Sequence, residues 1–270
     1  MALDPCGDRL LEVLPRRPLV MLAWQQQTRR QLEADPEDRL SVANLLRAAQ
    51  AFVQYGDRVH RAEALEAVEL LLHLGRAAEA ADLWQRLEQH GWLPARTSVV
   101  FDPGWQLPAE GRGFAWRVRE NPGIERPSRG PGLQLWLQGS QPDQLTVAEQ
   151  FLIGSWGENS TLRYRCVADA EVSAGWSWTL AVPGHGSFRS PPLICEGQPH
   201  EWPLPAAQVP SAKSLWGRNG SGPVLALEWR RSLGTRKGKG SFQMQEVDVS
   251  SPARWLAPAG SGASQPASVE

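Results

Sequence analysis

GWSWTLAV, residues 175–182, sets Trp176, Trp178 and Leu180 at every second position, with Ser177 and Thr179 between them. Alternate side chains of a strand leave opposite faces of a sheet, so this spacing predicts a strand with one buried and one solvated face. The same rhythm returns at 113–119, 133–138, 145–153, 161–168, 224–230 and 240–249, with shorter candidates at 97–101 and 200–204. Gly, Pro and Ser separate the segments at near-regular intervals. That arrangement predicts an antiparallel β-sandwich of the jelly-roll kind rather than βαβ units. The connection 205–222 is long and is expected to cover an edge.

Splitting each segment by parity gives two rows. One holds Phe114, Trp116 and Val118; Leu133, Leu135 and Leu137; Leu162, Tyr164 and Cys166; Trp176, Trp178 and Leu180; and Leu225, Leu227 and Trp229. Each of these tryptophans falls in register with aliphatic neighbours and is therefore expected in the core. The other row holds Ala115, Arg117 and Arg119; Gln134, Trp136 and Gln138; Arg163 and Arg165; Ser177 and Thr179; and Ala226, Glu228 and Arg230. Trp136 is the exception there, an indole between two glutamines with no core to fill. If the polar rows share one sheet, Trp136 lies on one surface with Arg117, Arg163, Arg165, Glu228 and Arg230, the candidate ligand-binding set. A flat ring beside planar guanidinium groups suits hydroxyl-rich or anionic sugars. The alternative is a solvated face with cross-strand ion pairs.

Upstream of residue 96 the composition changes to Ala, Leu and Glu with little Gly, which favours helix. Residues 37–54 place Leu40, Ala43, Leu46 with Leu45, Ala49 and Val53 on a helical stripe. Asp35 and Pro36 supply an N-cap and first-turn pair, and Gly56 closes the segment. A second helix is expected at 59–74 with Leu65, Val68, Leu71 and Leu72 inward, ending at Gly75. A third, 77–90, carries Ala80, Ala81, Trp84 and Leu87 inward and ends at Gly91. The fold class is thus α+β: a helical segment at 1–95, a sandwich at 96–251, and a tail at 252–270 too poor in apolar residues to fold.

With 28 basic and 29 acidic side chains the chain offers no broad cationic field, and nucleic acid is not an expected partner. No run approaches the roughly 20 apolar residues of a membrane span. The start lacks the basic residues and continuous apolar run of a signal peptide, so the default expectation is a cytoplasmic chain, with envelope association as the alternative. Cys6, Cys166 and Cys195 match no zinc spacing. They read as free buried thiols, a Cys166 to Cys195 bridge being the alternative for an exported chain.

The stretch LLLHLGRAAEAADLWQRLEQHGWLP resembles a tetratricopeptide repeat, with Leu74 and Gly75 at the inter-helix turn, Ala80 at the small-residue crossing, Trp84 at the large aromatic position and Pro94 at the end. One repeat cannot bury both of its faces, so the helices either stack on the sandwich or close a longer array. Together with FDPGWQLPAEGRGFAWRV, PGLQLWLQG, STLRYRC and LALEWRRSLGT, the chain resembles bacterial tetratricopeptide proteins carrying a jelly roll of the galactose-binding-like or family 4 and 9 carbohydrate-binding type. The resemblance implies an accessory factor of surface-polysaccharide or exosortase-linked export, with glycan or protein as partner. In such modules an Asn-Gly-Asp-Phe-Glu motif lies near a structural calcium. Asp102, Pro103, Gly104, Trp105 and Gln106 stand there instead, which removes both late acidic ligands, so no metal or cofactor is expected.

Catalytic patterns are not expected either. Glu158, Glu196 and Glu201 are unpaired loop carboxyls in the sequence, and neither a His-Glu-x-x-His helix nor a Gly-x-Ser-x-Gly elbow occurs. The 234–239 stretch, GTRKGK, is a basic turn. The reading is a non-catalytic binding or scaffolding protein.

Overall fold

The computed structural model describes residues 23, 26–31, 34–35, 38–58, 61–109, 111–127, 132–154, 156, 159–205, 222–231, 234 and 237–250. Cys6, Pro36, the interior of the 205–222 connection and the 252–270 tail lie outside them. Residues 26–31 are helical, and after them come α1 (Arg39–Tyr55), α2 (Arg61–His73) and α3 (Ala77–Gln89). Both α2 and α3 end as the glycines predict. The Gly75 and Arg76 N–H groups bond back to Leu72 and Leu71, and those of Gly91 and Trp92 to Glu88 and Leu87. Gly75 and Gly91 sit at φ 69 and 70, the left-handed turn that satisfies the last carbonyls of a helix. The inward faces of α2 and α3 are buried as expected. In α1 the stripe is rotated: Val42, Leu45, Ala48, Ala49, Phe52 and Val53 are buried, while Ala43 is exposed and Leu46 half-buried. Leu45, Ala49 and Val53 are buried as the spacing predicts, and Phe52 against Trp92 draws the buried face away from Ala43 and Leu46.

Ten strands follow among the described residues: β1 (Arg117–Val118), β2 (Ile124–Glu125), β3 (Leu133–Gln138), β4 (Gln144–Phe151), β5 (Thr161–Ala168), β6 (Trp176–Val182), β7 (Gly186–Arg189), β8 (Glu196–Pro203), β9 (Val224–Arg230) and β10 (Lys239–Ser250). They form two five-stranded sheets, β1-β4-β9-β6-β7 (sheet A) and β2-β3-β10-β5-β8 (sheet B). The pairings nest inside one another: β6 with β7, β5 with β8, β4 with β9, β3 with β10. Successive pairs fall in opposite sheets, so the chain is a long hairpin rolled into a sandwich, the jelly-roll arrangement.

Trp116, Trp176, Trp178 and Trp229 are all buried between the sheets, as the alternation predicts. Trp176 stacks on Phe242 of the facing sheet, ring centroids 3.7 Å apart. Two expected strands depart from the reading. Residues 97–101 form no strand, because the buried Gln150 amide takes the place of a pairing strand: its Oε1 accepts from the Phe101 N–H and its Nε2 donates to the Phe101 carbonyl. The 113–119 strand begins only at Arg117, so Phe114 leaves the sandwich row and enters the helical core beside Trp84 and Phe101. Cys166 and Cys195 are joined by a disulfide, which overturns the reading of free thiols; the pairing is a through-space property their separation of 29 residues does not encode.

The block 113–117 couples the two halves of the molecule. Gly113, at φ 58, lies so close to Trp84 that a Cβ there would sit 2.4 Å from the indole. Its N–H donates to Glu69 Oε2 at 2.7 Å, and Arg117 Nη2 reaches the same oxygen at 2.6 Å. Phe114 turns toward the helices and Trp116 toward the sheets, so one short segment feeds both cores.

Candidate functional site

The outer face of sheet B follows from its registers. Across the strands run Glu125, Trp136 and Ser241 in one row, and Gln134, Gln243 and Val167 in the next. Beyond them Glu246 stands opposite Arg165, and Asp248 opposite Arg163, which faces Glu201 on the other side. Trp136 is 48% exposed. Its neighbours along β3, Gln134 and Gln138, carry amide donors and acceptors; Gln138 Nε2 donates to Glu125 Oε1. On the other flank Asp169 accepts from the Ser241 N–H at 2.7 Å and its hydroxyl at 2.9 Å, and these bonds hold its carboxyl below the usual carboxylate range. The result is a flat ring fringed by amide and carboxylate groups of fixed orientation.

Trp136, Arg163 and Arg165 thus share a face. Arg117, Glu228 and Arg230 do not join them, because β1 and β9 belong to sheet A. The common surface conceived from the sequence is therefore not formed: parity says only that a side chain points outward, and successive strands of a rolled hairpin alternate between two sheets. Even within sheet B the two features are separate. With strands about 4.8 Å apart and about 3.3 Å per residue, the backbone positions of Trp136 and Arg165 lie on the order of 16 Å apart. Arg163 pairs with Glu201 at 3.2 Å and Arg165 with Glu246 at 3.4 Å.

Arg117 is a structural residue. Its side chain is largely buried, bonded to Glu69 of α2, and its guanidinium lies 4.9 Å from the centroid of the Phe151 ring. Ion pairs occupy much of the rest of sheet A's outer face, Arg189 with Glu228 and Arg119 Nη2 with both carboxylate oxygens of Glu149 at 2.9 and 2.8 Å, while Arg230 is exposed at the end of β9. In the 102–106 stretch, which stands where the Asn-Gly-Asp-Phe-Glu motif would, the Asp102 carboxylate accepts from the backbone N–H groups of Gln106 and Leu107 at 2.7 and 2.9 Å. Asp102 therefore shapes a turn. Among the described residues no group of three or more His, Cys, Asp or Glu side chains could hold a metal ion, and no helix is long and apolar enough to cross a membrane.

No protein-family model matches the chain, and the curated proteins include no match. Several solved structures resemble it at a distance. An exo-beta-agarase is 10% identical with a TM-score of 0.35, over 57% of this chain and 25% of that one, so the chain spans about a quarter of the agarase. A family 61 carbohydrate-binding module, solved in complex with beta-1,4-galactotriose, is 12% identical with a TM-score of 0.33, over 58% of this chain and 99% of the module. A family 4 carbohydrate-binding module is 15% identical with a TM-score of 0.31, over 50% of this chain and 94% of the module. Structural neighbours of the chain thus include carbohydrate-binding modules.

Proposed function

We propose that the protein is a non-catalytic glycan-binding factor whose sheet B face receives a saccharide, with the helical segment, in a tetratricopeptide-like role, joining it to partners in a bacterial envelope pathway. The observation that carries this reading is Trp136, half in water on a polar face where burial gives it no purpose. A pyranose presents an apolar face to such a ring and hydroxyls to its rim, where Gln134, Gln138 and Ser241 offer directional bonds. Arg163 and Arg165 stand further along the same face and suit a longer or acidic chain. The non-catalytic reading is supported by the carboxylates of this face. Glu125, Asp169, Glu201 and Glu246 are each engaged by a neighbouring side chain rather than facing one another across a cleft.

A glycan array on the full chain, followed by calorimetry on the retained sugar, tests the proposal. Trp136→Ala is expected to weaken retention about tenfold or more with an unchanged melting temperature. Retention that survives this variant removes sheet B as the site. A protein-docking reading draws on Val167, 40% exposed beside the same row. It predicts capture of a protein partner that Val167→Lys abolishes and sugars leave intact.

A further inference from the structure

Where β1 and β2 end the two sheets, a groove of about 1230 Å³ opens along the edge of the sandwich, with Gln106, Asn121, Arg126 and Gln134 among its polar lining. Trp105, Leu107, Pro108 and Arg126 line it and also line a narrower neighbouring chamber of about 70 Å³. Phe101, Trp105, Trp116 and Leu133 give the chamber an aromatic and aliphatic wall.

Its most informative member is Trp105. The residue is 8% exposed, stacks on Trp116 at 4.0 Å, and its Nε1–H has no acceptor. Trp116, by contrast, donates its own N–H to the Asp102 carbonyl. A buried indole N–H beside a cavity is a donor held ready for something that enters. Other buried indoles lack acceptors too, those of Trp156, Trp178 and Trp229, but Trp105 is the one that lines this chamber. Asp102 lines it as well, and after accepting from Gln106 and Leu107 its carboxylate retains lone pairs. Asp102 and Trp105 both hold positive φ, 53 and 55, so a left-handed turn carries them into the chamber wall. Arg126, exposed, has no ion-pair partner among the described residues.

The chamber decides the ligand's chemistry. Its volume of about 70 Å³ is roughly half the ~150 Å³ of an apolar cavity that holds benzene, which suits a short substituent better than a whole sugar ring. The walls ask for a methyl group, the Trp105 N–H for a carbonyl oxygen, and Asp102 for an N–H. An acetamido group supplies all three. We infer that the edge groove binds an N-acetylated hexosamine unit, its ring in the polar groove and its acetamido group seated in the chamber. The amide groups of Gln106, Asn121 and Gln134, with Arg126 and Glu120 beside them, suit ring hydroxyls and favour a sugar over an acetylated peptide. This site shares no residue with the Trp136 row except Gln134 at the groove's margin, so it stands or fails apart from the sheet B proposal.

The test uses indole N–H resonances of the ¹⁵N-labelled full chain, titrated with the β-1,4-linked trimer of N-acetylglucosamine, its deacetylated counterpart and N-acetyllysine. The acetylated trimer is expected to shift the Trp105 resonance, and the other two to leave it in place. Trp105→Phe, which keeps a ring in the stack and deletes the donor, is expected to weaken binding of the acetylated trimer about tenfold. Ala109→Phe, which obstructs the mouth from a half-buried loop position, is expected to abolish the Trp105 shift. No shift with the acetylated trimer, an equal shift with the deacetylated one, or a shift with N-acetyllysine alone overturns the inference.

Discussion

The two outer faces of the sandwich are written in the same alternating code and come out differently. On sheet A one row runs Arg117, Glu149, Ala226, Thr179 and Arg189, small side chains at the centre flanked by charged arms that are held by Glu69, Arg119 and Glu228 in turn. One end of that face is also locked to α2 through Arg117 and Glu69. On sheet B the corresponding rows hold Trp136, Gln134 and Gln243, a ring and amides in place of paired charges. A face whose charges neutralise each other has little left to offer a ligand. A face with an unburied indole has binding free energy in reserve.

That contrast can be strained from several sides, beginning with the largest effect. Trp178→Ala, in the core common to both faces, is expected to destabilise by about 3–5 kcal/mol and to lose both surfaces together in chemical denaturation. Separate transitions for the two halves would show that the helices do not depend on the sandwich. Arg117→Ala is expected to cost about 2 kcal/mol, less than a fully buried pair because Glu69 keeps some access to water. Glycan retention should be untouched; a loss of binding with full stability would return Arg117 to the ligand set.

The helical half carries its own pH signature. Burial raises the Glu88 carboxyl from the ordinary 4.5 to about 7, against the opposing pull of Arg96 and the Trp84 N–H. The folded state then keeps a proton that the unfolded chain releases above 4.5, so stability declines as pH rises from 4.5 toward 7 and levels off beyond it. Glu88→Gln, neutral throughout, should flatten that decline in melting temperature; a profile identical to wild type places its origin elsewhere. The smallest effect belongs to the exposed pairs. Arg163→Ala on sheet B is expected to change stability by less than about 1 kcal/mol, yet to weaken an acidic glycan. Equal retention of acidic and neutral glycans by wild type and variant would confine recognition to the Trp136 end.

Much of the sandwich was legible before any coordinates. β3, β5 and β9 begin and end where the alternation does, since a period of two is a local property that burial of one face enforces. The exposed state of Trp136 was legible for the same reason. Gln150 was not, because nothing in its position signals that an amide stands in for a strand. The edge groove was missed too. Trp105 lies in an irregular loop at positive φ, where no periodicity assigns a face.

What the sequence determined by itself is therefore each side chain's parity and the turns between segments, along with the glycine-closed helices. These depend on backbone geometry over a few residues. Which outward-facing residues share a surface was decided only by tertiary structure, because rolling a nested hairpin sends neighbouring segments to opposite sheets and brings distant ones together. Trp136 and Arg117, 19 residues apart in the chain, ended on different faces, while Cys166 and Cys195 met in a bond. Parity is a property of a strand, and adjacency is a property of the whole roll.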